Sequence, residues 1–167
     1  LFVLVFDADG TPIQGADVHI ENNQEFPAIS IDDTTNNEGM LQIIDAPPGI
    51  EAYEITVTKA GYSSDRTYTT GDVANPNPTK PHATVVMQQV TQLSFAIDET
   101  SDIDVSSVTD VCVAVPGADF DLTGAKLIGT SPDVYKFSNS YTTNGSGRKT
   151  ISDVEWDTYA LDFTDGA

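Results

Sequence analysis

The chain has 167 residues, room for one large or two small domains, with 39% hydrophobic and 20% charged residues. Its 26 acidic residues against 7 basic ones give a net charge of −19. That balance leaves no basic patch to neutralise nucleic-acid phosphates, and it disfavours an anionic membrane surface.

Twenty Thr, 15 Val and 12 Ile stand against 7 Leu. β-Branched side chains lose rotamer freedom in helices and pack well on pleated surfaces, so an all-β protein is expected. In chain order, "LFVLVF" reads as a first strand; it has neither the basic flank nor the cleavage site of a signal peptide. The missing initiator Met makes a mature chain or a fragment the expectation. Asp9-Gly10 supplies a turn, after which Ala16, Val18 and Ile20 alternate with polar residues as in a half-buried strand. "FPAISI" is a further short strand, "DDTTNNEG" a polar turn, and "APPG" a break that no central strand continues. "AYEITVTKAGY" then places Tyr53, Ile55 and Val57 on one face. A Pro-rich stretch at 70–82 serves as a linker or long loop, and "ATVVMQQV" closes the first unit, with a boundary near residue 90.

The second unit, 91–167, opens with "TQLSFAID". "ETSDIDVSSVTD" reads as a loop or one helical turn, and further strands run from "VCVAVPGADF" to "DTYALDF". The lone Cys112, between Val111 and Val113, is expected to be buried and inert. No segment keeps a 3.6-residue period, and no stretch reaches the ~20 apolar residues that span a bilayer.

The two halves share an order of motifs. Gly15-Ala16-x-Val18 is matched by Gly117-Ala118-x-Phe120, and Thr34-Thr35-Asn36-Asn37-Glu38-Gly39 by Thr142-Thr143-Asn144-Gly145-Ser146-Gly147. From the first Thr to the following key Tyr is 19 residues in one half (Tyr53) and 17 in the other (Tyr159). This order predicts duplication of one β-sandwich unit. "DADGTPIQGADVHI", "TTNNEG" and "APPGIEAYEITVTKAGY" together resemble the carboxypeptidase regulatory-like, transthyretin-like domain family. The resemblance implies two tandem Ig-like or transthyretin-like β-sandwich domains, the first at 1–90 and an incomplete second at 91–167. It also implies a likeness to modules of bacterial surface and pilus-like proteins.

Catalytic chemistry finds little to use. His19 and His82 are the two histidines, each expected at the surface, and no zinc or phosphate-loop spacing is present. An enzyme is therefore not expected, and no cofactor is required. Calcium is the possible exception, because it takes oxygen ligands; Asp98, Glu99, Asp102 and Asp104 near the unit boundary are the candidate set, ahead of Asp7 and Asp9. Asn144-Gly145-Ser146 is a glycosylation sequon that also explains itself as a turn. Tyr62, Tyr68, Tyr135 and Tyr141 near loops could stack on a glycan. An amide cross-link from Lys59, Lys126 or Lys136 is not expected.

Two functions follow. In the first, the chain is a structural module of an extracellular or cell-surface fibre, stalk or pilus-like filament. It would self-associate or dock on neighbouring domains through strand edges, with Leu1, Phe2, Val3, Leu4, Val5 and Phe6 as the strand offered to a neighbour. In the second, it is a glycan- or calcium-binding accessory module of a larger secreted adhesin or peptidase.

Overall fold

The computed structural model describes residues 1–164, and every named element in them is a β-strand. Two separate clusters of buried apolar side chains define two units. The first unit comprises β1 (Phe2–Phe6), β2 (Asp17–Asn22), β3 (Ile29–Thr34), β4 (Met40–Gln42), β5 (Gly49–Thr58), β6 (Asp65–Arg66), β7 (Ala83–Val85) and β8 (Gln92–Ala96). One sheet has the order β4-β1-β8; the other runs β3-β2-β5-β6, with β7 also on β5. Both sheets supply the core: Val3 and Val5 from β1, Val18 and Ile20 from β2, and Tyr53, Ile55 and Val57 from β5. The period-two alternation read in the sequence is what turns these side chains inward together.

The first core runs past residue 90. β8 lies parallel to β1, with Val5 opposite Phe95, and Phe95 and Ile97 belong to the first cluster. "TQLSFAID", expected to open the second unit, is therefore part of the first. The expected closing strand at 83–90 shrinks to the three residues of β7.

The second unit comprises β9 (Ser101–Ser106), β10 (Asp119–Gly124), β11 (Leu127–Gly129), β12 (Val134–Tyr135), β13 (Ser138–Thr142), β14 (Arg148–Val154) and β15 (Tyr159–Phe163). Its sheets are β14-β9, β13-β10-β15 and the small pair β11-β12. The stretch expected as a loop or helical turn is β9. Ile103 and Val105 turn toward the core while Asp102 and Asp104 face water, an alternation that the acidic residues hide. Cys112, expected to be buried, is exposed in the tight turn after β9 with φ +61°. The hairpin there is too short to fold its valines inward, and Val108, Val111 and Val113 are exposed with it.

The paired motifs make the same bonds in both units. Thr35 Oγ1 accepts from the Ala16 N–H at 3.0 Å, and Thr143 Oγ1 from the Ala118 N–H at 2.9 Å. Asn36 Oδ1 accepts from the N–H groups of Glu38 and Met40; Asn144 Oδ1 accepts from those of Ser146 and Arg148. Each motif closes on a glycine with positive φ, +68° at Gly39 and +67° at Gly147. A Cβ there would sit 2.4 Å from Val5 O in one case and 2.7 Å from Ser107 O in the other, so no side chain fits. The tyrosines behave alike as well: Tyr53 donates its hydroxyl to Pro47 O, and Tyr159 to Glu155 O.

Candidate functional site at the junction of the two units

Asp98 follows β8, and its carboxylate faces both units. Oδ1 accepts from the Ala8 N–H at 2.7 Å in the first unit, and Oδ2 accepts from Lys126 Nζ at 2.9 Å in the second. Its backbone is also tied down, by Ser63 N–H to Asp98 O and by Asp98 N–H to Ser63 Oγ. Lys126 Nζ lies 3.7 Å from Glu155 Oε2, which also accepts from Lys136 Nζ at 2.7 Å. Asp98 and Glu155 are both buried. Two carboxylates and two ammonium groups thus alternate across the joint. Charges taken out of water require such partners, and losing one leaves its neighbour uncompensated.

Tyr159 stands beside this cluster, and its hydroxyl is pushed up to about 12, first by burial and then by the charges of Glu155 and Asp157. It remains a neutral hydrogen-bond donor throughout the ordinary pH range.

A second set of bonds lies to one side. The Pro-rich stretch at 71–82 is a docked loop that grips the β11-β12 pair. Thr79 N–H and Asn75 Nδ2 both donate to Ile128 O, at 2.9 and 3.0 Å. Thr130 N–H donates to Asn77 O, and Asn77 Nδ2 to Ser131 O. Asn75 is buried against Gly129, where a Cβ would stand 1.9 Å from its Oδ1. Backbone and side-chain bonds therefore hold the units at two places.

The residues singled out in the sequence fall out as follows. Asp98 is committed to Ala8 and Lys126, Glu99 accepts from the Tyr62 hydroxyl at 3.3 Å, and Asp104 accepts from Thr150 Oγ1 at 2.6 Å. Asp102 is exposed on β9. The four do not gather, and among the described residues no group of three or more potential ligands is placed to hold a metal ion. Asn144 is exposed, with its Oδ1 engaged in the turn. Leu1 to Phe6 do not form a free strand. β1 is central in its own sheet, bonded to β4 and β8, with Val3 and Val5 fully buried. Offering that strand to a neighbour would empty the first core.

His19 lies on β2 with Nδ1 2.6 Å from Asp32 Oδ1 and Nε2 3.1 Å from Glu21 Oε1. His82 pairs with Thr67 Oγ1 and Thr69 Oγ1. Sequence reasoning singled out Lys126 and Lys136 only as cross-link candidates and missed their partners, because Asp98 and Glu155 are distant in the chain and acids abound.

No protein-family model matches the sequence, and no curated protein matches it. Among solved structures, the TIE protein of Bacillus anthracis is 14% identical, with a TM-score of 0.43, over 98% of this chain and 27% of that one. A streptococcal ancillary pilin is 13% identical, TM-score 0.40, over 98% of this chain and 52% of that one. The shaft pilin SpaA of Lactobacillus rhamnosus GG, as a D295N mutant, is 15% identical, TM-score 0.34, over 99% of this chain and 86% of that one. The chain thus spans about a quarter and about half of the first two.

Proposed function

We propose that this chain is a structural module of an extracellular or cell-surface stalk, fibre or pilus-like filament, in which β-sandwich units stand in fixed series. The observation that carries this reading is the junction. The connecting segment is built into the first sheet as β8, Asp98 then binds both units, and a second set of bonds holds the loop at 71–82 to β11-β12. A free linker would let the units swing; this one spends buried charge on holding them still. The partners in this reading are neighbouring units of the same protein or further copies of it. Among the described residues, no helix is long and apolar enough to cross a membrane.

Backbone ¹⁵N relaxation of the 167-residue protein tests this directly. Rigid units share one rotational correlation time. Distinct correlation times for the two units in the unaltered protein would sink the proposal. Lys126→Met leaves buried Asp98 without its cation. It should cost about 2 kcal/mol, less than a fully buried pair because Lys126 is about a third exposed. Denaturant unfolding reads that loss, and an unchanged stability would show that the buried carboxylate does not need its cation.

A further inference from the structure

The charge of this chain is sorted by depth. Among the described residues, the lysines that form ion pairs are Lys80, Lys126 and Lys136, and the acids they hold are Asp65, Asp98 and Glu155. All three of those carboxyl groups are largely withdrawn from water. Of the other basic residues, Lys59, Arg66 and Lys149 lie over the rings of Tyr62, Tyr68 and Tyr141. The attractive charges are thus inside, and the net charge of −19 belongs to the surface.

The outer face of the larger sheet in the first unit shows the pattern. β2 turns Asp17, His19 and Glu21 outward, in alternation with its buried Val18 and Ile20. Glu21 stands directly opposite Glu54 on β5. Like charges opposed across two strands, about 5 Å apart, repel and destabilise the pair. In the second unit the outward carboxylates are met by hydroxyls: Thr142 Oγ1 donates to Asp119, Ser140 Oγ to Asp121, and Thr150 Oγ1 to Asp104. A hydroxyl satisfies the oxygen and leaves the charge uncancelled.

Salt treats the two layers differently, because mobile ions screen exposed charges and reach buried pairs much less. The Debye length shrinks from about 30 Å in 0.01 M salt to about 3 Å in 1 M salt, less than the gap between facing strands. We propose that this chain is built for a saline medium. Monovalent cations of that medium, gathered at the outer sheet faces, complete the stability of both units, and dilute buffer withdraws it. The sign is opposite to that in a protein held by exposed ion pairs, whose attraction salt weakens. His19 is the exception, an exposed cation when protonated, set between Asp32 and Glu21. The inference rests on the charges and their depth, and stands whether or not the units form a stalk.

The test is urea unfolding of the full chain in rising sodium chloride, from about 10 mM through about 100 mM to about 1 M. It is run at about pH 9 to set the His19 attraction aside. The midpoint is expected to rise with salt. Sodium thiocyanate at the middle concentration should raise it as well, because screening does not depend on which monovalent salt supplies it. Glu54→Gln removes one repulsion and keeps the shape. In the most dilute salt it should lower the unfolding constant about threefold, and in the most concentrated the variant and the parent should agree. A midpoint that stays level or falls as salt is added overturns the proposal. So does a rise with chloride and none with thiocyanate, the mark of solute exclusion from the surface. A Glu54→Gln difference that persists in concentrated salt also overturns it, because that is the mark of packing rather than charge.

Discussion

His19 is held between two acids, and its imidazolium is favoured first by the hydrogen bond to Asp32, then by that to Glu21. Its pKa is therefore raised above the ordinary 6.5. The stabilisation it brings is fully present below that value and fades as pH rises through the higher, folded-state pKa. An NMR titration should place the midpoint above 6.5, and Asp32→Asn should bring it back down; a midpoint unmoved by that substitution would refute the pairing. The outward position of His19 was legible from strand alternation. Its charge partners were not, because Asp32 arrives on β3 through a pairing that local sequence does not encode. Cys112 gave the opposite lesson. Flanking valines usually mark a buried strand, but here they sit on a hairpin with no facing layer to cover them.

The Thr-Thr-Asn-x-x-Gly turns set the position of whole strands. Thr35 is buried, accepting from the Ala16 N–H and donating to Ile13 O at 2.6 Å. Thr143 is buried too, accepting from the Ala118 N–H and donating to Val115 O. Valine keeps the shape and removes the oxygen, so buried backbone groups lose their partners. Thr35→Val and Thr143→Val should each cost about 1–3 kcal/mol, measured by denaturant unfolding. A neutral result at either site would show that its backbone bonds are made good by water. These turns could be read from sequence because their chemistry is local: Asn bonding two residues on, and Gly at positive φ. β8 and β9 could not be placed so easily. A short apolar run does not say which of two adjacent cores it joins, and alternation in β9 is masked by its acids.

At the scale of the whole molecule, the two cores among the described residues are unequal. Fifteen buried apolar residues form the first and five the second. Less apolar surface withdrawn from water means less to offset the entropy of ordering the chain. Native-state hydrogen exchange should therefore find weaker protection on β10 and β14 than on β2 and β5, despite the bonds that join the units. Equal protection would mean that the junction couples them into one cooperative block. The all-β class and the double motif were visible in composition and spacing, but this inequality was not. It depends on which unit β8 completes.

That placement of β8 has a consequence for load. The chain enters the first unit at β1 and leaves it from β8, parallel neighbours paired over five residues. A pull on the two ends drags these strands past each other, so their ladder bonds are strained together and must fail in shear. Single-molecule stretching by residues 1 and 97 should show one high-force event as that ladder breaks, where strands peeled from one end would open at low force. A load along the chain thus meets all five paired residues of β1 and β8 at once.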